Sequence, residues 1–241
     1  MRVDADLFAF GATIPVVVGS WGLAGGLRRL SDRRAQLVRS FAGGVGLSFV
    51  ILDLFVELAA TGEGSVHDVL RVGPQPIHTI AFLLLAGTVV WFVANTVGAR
   101  FSETWTSYLV AVAPRLAYGA FVGAALLEEE HEGEWPYLLF GVAVILHLAV
   151  SEYRLCAAFP REHHGILRAI VMLTPLIGGL AWVAIEAHEG MFHAVLAIVA
   201  GATLLSIFRE EMPSPGATRV GALIAGVIVF GALVQLRWWQ H

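Results

Sequence analysis

The chain has 241 residues, of which 57% are hydrophobic and 14% charged, with a mean hydropathy of +0.75. A soluble domain carries ~25% charged residues, so this composition belongs to a membrane protein, with the lipid bilayer as its first partner. The net charge of −4 is modest and by itself says nothing about nucleic acid, but there is no basic stripe interleaved with aromatics, so no nucleic-acid partner is expected. The single Cys156 excludes an intrachain disulfide framework and a cysteine-based zinc site.

Taken in order, apolar runs recur at about residues 7–27, 41–60, 77–97, 105–127, 137–159, 166–187, 191–208 and 217–236. Each approaches the ~20 residues that cross a bilayer at 1.5 Å rise. The short alternating segments of a membrane β-barrel are absent. The expectation is therefore an all-α integral membrane protein, one bundle of eight transmembrane helices, in a plasma membrane of the bacterial inner kind. Asp4 and Asp6 precede the first run, which is too long for a signal-peptide core and is expected to stay as a helix. The connections are short and end at glycine, proline or charge, so no linker divides the bundle into domains.

Orientation follows from the arginines, which supply all 15 basic residues. Arg28, Arg29, Arg33, Arg34 and Arg39 cluster around the first connection, and Arg100, Arg161, Arg168, Arg209 and Arg219 fall on the same side. Only Arg2, Arg71 and Arg237 fall on the other, which also carries the acidic run 128–134. The positive-inside bias places the first connection in the cytoplasm and both termini outside.

Two arginines remain, both inside apolar runs. Arg154 is near enough to the cytoplasmic end of the fifth run to snorkel, whereas Arg115 lies mid-way along the fourth. A central arginine costs ~2.5–3.5 kcal/mol on the insertion scale, so it should face protein or water. Glu152 in the fifth run is its natural counter-charge, with Asp53 of the second run as the other candidate. The fifth run also holds His147 and Ser151, one helical turn apart on one face, with Glu152 ~140° round from His147. Glu57 reads as an interfacial charge. His163, His164, His188 and His193 read as surface residues, and the tryptophans mostly as interfacial anchors.

Pro114 and Pro175 should kink the fourth and sixth helices. Gly119-x-x-x-Gly123 has the spacing of a dimerisation motif, so a homodimer is one expectation and close packing inside the chain the other. An internal echo links residues 41–57 (FAGGVGLSFVILDLFVE) with 197–211 (AIVAGATLLSIFREE), small residues and glycine followed by aliphatics and an acid. These two helices run in opposite directions, the mark of an inverted repeat.

These residues carry a resemblance to the ZIP (ZRT/IRT-like) metal transporters. The second helix of that family shows a small-small-Gly run and then H-L-L-P-E; here Asp53 stands at the His, Val56 at the Pro and Glu57 at the acid. The family's fourth-helix H-S-x-x-D-G-x-x-x-G is met by Pro114-Arg115-Leu116-Ala117-Tyr118-Gly119 and Gly123. Its fifth-helix H-E-x-P-H-E is met by His147-Leu148-Ala149-Val150-Ser151-Glu152. The glycines, His147 and Glu152 fit; the other polar ligands do not. The resemblance implies a ZIP-like bundle and membrane transport of a metal ion or another small solute. A divalent metal enters as substrate, with His147, Glu152 and Asp53 as candidate donors, and no resident cofactor is expected. Arg115, Tyr118 and Ser151 complete the transport-pathway candidates. The alternative is a non-transporting relative locked by an Arg115–carboxylate pair. An enzyme is not expected, because neither H-E-x-x-H nor G-x-S-x-G occurs.

Overall fold

The computed structural model describes residues 2–60, 75–98, 104–132, 134–185, 189–211 and 219–239. They form eight helices: α1 (Arg2–Leu27), α2 (Asp32–Ser48, continuing through Phe49–Leu54 to Ala60), α3 (Pro76–Gly98), α4 (Thr104–Glu132), α5 (Glu134–Ala158), α6 (Gly165–Ile185), α7 (Glu189–Ser206, continuing through Ile207–Glu211) and α8 (Val220–Trp238). Each apolar run has become one helix, with ends displaced by a few residues, most of all at α2, which starts nine residues early. All of them except α1 are long and apolar enough to cross a membrane over described residues, and α1 adds the apolar stretch Gly11–Leu27. This is the form of a multi-pass membrane protein. The side chains of the acidic run 128–134 and residue 188 lie outside the described residues.

Helix α5 sits at the centre, against α1, α2 and α4, while α2 packs on α8, α3 on α7 and α4 on α6. Glycine decides how close these pairs come. A Cβ at Gly44 would land on the Leu223 carbonyl of α8, and one at Gly226 on the Phe41 carbonyl of α2. Gly87 and Gly201 stand in the same reciprocal relation across α3 and α7, and Gly123 and Gly178 across α4 and α6. The Gly119-x-x-x-Gly123 face is thus spent inside the chain, against Thr174 and Pro175 of α6, rather than on a dimer. Helices α4 and α6 continue through Pro114 and Pro175; next to the latter, the Thr174 hydroxyl donates to the Val171 carbonyl at 2.6 Å.

Two helices carry a π-helical segment, Phe49–Leu54 in α2 and Ile207–Glu211 in α7. Such segments insert one residue into the turn and re-aim the side chains beyond it. Phe49 opens the first, standing edge-on to Phe140 of α5 and Phe230 of α8 with centroids 5.4 and 6.3 Å apart. Asp53 lies in the same segment, buried, and its Oδ1 accepts from Arg237 Nη1 of α8 at 2.9 Å. At the opposite end of this helix pair the Arg219 amide donates to Ser40 Oγ at 3.1 Å. Replacing Arg237 by Leu is expected to cost about 1.5–3 kcal/mol, the range for a hydrogen bond to a charged group. Thermal unfolding of the purified protein in detergent measures this, and a wild-type midpoint would mean that the pair contributes nothing.

The turn between α5 and α6 matters most for the site. Gly165 starts α6 at φ +53°, a conformation that glycine adopts without a Cβ penalty. Just before it, the His163 amide donates to the Phe159 carbonyl at 2.9 Å, folding the segment back under the bundle. His163 is therefore buried, at 3% exposure, and not the surface residue its position suggests; His193 is buried too, whereas His164 is exposed as expected.

Candidate functional site

Between α3, α4, α5, α6 and α7 lies a cavity of about 180 Å³. Arg115 and Tyr118 reach it from α4, and His147, Ser151 and Glu152 from α5. Thr203 and Ser206 line it from α7 and Trp91 from α3. The structure therefore brings together five of the six side chains picked out in the sequence. Asp53 does not line this cavity and is held by Arg237.

The arginine is anchored along its length. Its Nε donates to Ser151 Oγ at 2.9 Å, and its Nη1 to the Ala111 carbonyl, one turn back on its own helix, at 2.6 Å. Both bonds hold the guanidinium between α4 and α5. One turn away, the Tyr118 ring meets the His147 ring edge-to-face with centroids 5.0 Å apart. The i, i+4 spacing of His147 and Ser151 places them on one face of α5, which is why Tyr118 and Arg115, three apart on α4, meet them in register.

Glu152 points to the end of the cavity closed by the α5–α6 turn. Arg168 Nε of α6 donates to its Oε1 at 2.6 Å, His163 Nε2 lies 2.8 Å from its Oε2, and the Cys156 thiol donates to Oε1 at 3.2 Å. His163 Nδ1 is in turn 3.1 Å from the Tyr108 hydroxyl of α4. A neutral imidazole satisfies both contacts, with Nε2–H donating to the carboxylate and Tyr108 donating to Nδ1. The counter-charge of Glu152 is thus Arg168 and that of Asp53 is Arg237, where the sequence points to Arg115 for one or the other.

A second cavity, of about 280 Å³, lies at the end of the bundle formed by the C-termini of α3 and α5 and the N-terminus of α4. It is lined by Asn95, Ser107, Arg115 and Arg154 among apolar residues, and shares Arg115 and Leu155 with the first cavity. Arg115 therefore stands at the boundary between them.

The donors do not suit a divalent ion. His147, Glu152 and Asp53 do not close around one point; among the described residues the group of three such donors within 4.8 Å of one another is Glu152, Cys156 and His163. Arg168 already holds that carboxylate. A divalent cation ~6 Å from a guanidinium meets about 5–6 kcal/mol of repulsion at an effective dielectric constant of about 20. Around the two cavities Arg115 and Arg154 add charge of the same sign. Sequence reasoning missed Tyr108, His163, Arg168, Thr203 and Ser206 as site residues. Thr203 and Ser206 had a signal, as hydroxyls in an otherwise apolar run. No protein-family model matches the chain, and no curated protein matches its sequence.

Proposed function

We propose that this chain is a ZIP-like membrane transport protein that moves a small solute along α4 and α5, through a site rebuilt without most of the family's metal ligands. The observation that carries this reading is the group of polar side chains, Arg115, Tyr118, His147, Ser151 and Glu152, in the otherwise apolar wall of a mid-depth cavity that shares Arg115 with a second cavity at one end of the bundle. Polar groups at such depth mark solute pathways more often than packing. An inverted repeat relating α2 to α7 and α3 to α8 is supported by the packing: the repeat exchanges the α2–α8 and α3–α7 pairs, and the two crossings use glycines in the same reciprocal way. Each π segment begins five or six residues after the crossing glycine of its helix, Gly44 or Gly201. Both termini outside, in a plasma membrane, fits the exposure of Arg28, Arg29, Arg33, Arg34, Arg161, Arg209 and Arg219, all at helix ends assigned to the cytoplasmic side.

Flux in proteoliposomes tests the reading. Solute entry above that of protein-free vesicles, reduced by Ser151→Ala or His147→Ala without loss of folded protein, is expected. No flux of any metal ion or small anion would remove it. The second reading, a relative that is held shut and does not transport, is favoured by the tie from Arg115 to Ser151 and Ala111. It expects Arg115→Ala to lower the unfolding midpoint and to open no path, whereas the transport reading expects altered flux from a protein that still folds.

A further inference from the structure

We infer that Cys156, His163 and Glu152 form a binding site for one soft monovalent cation of the cuprous class, at the α5–α6 end of the bundle. The three side chains place a thiol sulfur, an imidazole nitrogen and a carboxylate oxygen within 4.8 Å of one another. Glu152 and Cys156 lie one turn apart on one face of α5, and the α5–α6 turn brings His163 to them. The thiol stands 3.2 Å from Glu152 Oε1, and the imidazole Nε2 stands 2.8 Å from Oε2. At zinc-like bond lengths of ~2.3 Å to sulfur and ~2.0 Å to nitrogen, a shared ion holds those two atoms at most ~4.3 Å apart. Donors this close can share one ion without moving a helix. Neither Cys156 nor His163 belongs to the ligand set that the ZIP resemblance implies.

Charge selects the ion. The Glu152 carboxylate and the Arg168 guanidinium cancel, and the thiol and the imidazole are neutral, so the cluster as it stands has no net charge. A monovalent cation displaces the thiol proton: the S–H bond breaks, the proton leaves to solvent and a sulfur–metal bond forms, with no change of oxidation state. Net charge stays at zero. A divalent ion would leave one positive charge over, beside Arg168, where the His163 side chain is 0% and that of Glu152 1% exposed. Arg28, just past α1, also acts electrostatically on Cys156 and adds to this discrimination. Thiolate and imidazole are the ligands that suit Cu(I). Nε2 presents its lone pair to the ion when the ring proton sits on Nδ1, which then donates to the Tyr108 hydroxyl 3.1 Å away. Metal-bound histidines carry such a partner on the other nitrogen. Arg168 keeps Oε1, so Oε2 is the third donor. Cys156 is only half-buried, on the last turn of α5, and gives the ion its way in.

The test uses the full chain in a neutral detergent without oxygen or added thiol. Cu(I) is supplied as its coloured bicinchoninate complex, and the loss of colour is titrated with protein. The wild-type chain is expected to take one equivalent, and Cys156→Ser none. His163→Gln is expected to weaken binding about tenfold or more, since losing a ligand costs at least as much as losing a ligand's hydrogen-bond partner. Equal binding by His163→Gln and wild type would mean that a single thiol holds the ion, and overturns the site. Zinc at the same concentrations is expected to leave the unfolding midpoint unchanged; a rise as large as that with Cu(I), lost in Cys156→Ser, overturns the selection for a monovalent ion. Should either variant fold poorly, X-ray absorption of the Cu(I)-loaded wild-type chain decides. One sulfur together with an imidazole supports the site, and sulfur alone, or nitrogen and oxygen without sulfur, overturns it. The site stands on the cluster and not on the transport reading, so flux in proteoliposomes without Cu(I) binding removes the site and leaves transport.

Discussion

Glu152→Leu is expected to destabilise the protein by about 3–5 kcal/mol, the usual penalty for removing one partner of a buried ion pair. The carboxylate is nearly inaccessible and takes hydrogen bonds from Arg168 and Cys156 and one shared with His163. Removing it strands the Arg168 guanidinium, whose side chain is only 20% exposed, between α5 and α6. It also leaves His163 Nε2 without its acceptor in a turn that has folded under the bundle. The double variant Glu152→Leu/Arg168→Leu should recover most of the loss, because both charges are then gone and both residues are apolar. Unfolding in mixed micelles measures the three variants. If Glu152→Leu costs no more than a surface substitution, or the double variant is no better than the single, the clamp is not holding the α5–α6 end.

That clamp shows where reading the chain stops. Glu152 and Arg115 were legible as charges at membrane depth, because their neighbours in sequence are apolar. Arg168 was legible only as one of many arginines on the cytoplasmic side, and His163 only as a polar residue near a helix end. What joins them is the geometry of six residues, 159–164, ending at a glycine with positive φ. Hydropathy carries no information about that turn. The eight helices were legible because each had to satisfy its own backbone within one apolar run. The Tyr118–His147 and Arg115–Ser151 contacts needed the register between α4 and α5, which periodicity within a single helix does not specify. The same holds for Asp53, whose partner Arg237 lies 184 residues away on α8.

The glycines were legible as a packing signal but not as pairs, and the pairs lead to the other large expected effect. At Gly44, Gly226, Gly87 and Gly201, the three atoms nearest an added Cβ all belong to the backbone of the partner helix. No rotamer change relieves such an overlap, so the helices must separate along the crossing and lose contacts on both sides of it. Overpacking ordinarily costs ~1–3 kcal/mol, and Gly87→Val or Gly201→Val is expected at or above about 3 kcal/mol. Even Gly→Ala at these four positions should destabilise, although alanine is the better helix former by ~1 kcal/mol. Gly22→Ala in α1 is the control: nothing lies within 4 Å of its Cβ position, so it should be neutral or stabilising. If α2 and α3 are related to α7 and α8 by an inverted repeat, the costs should fall in matched pairs, Gly44 with Gly201 and Gly87 with Gly226. A set in which all four alanine variants unfold like Gly22→Ala would show that the crossings are looser than the glycine contacts require. Four destabilised variants with unmatched costs would keep the close crossings and discard the repeat.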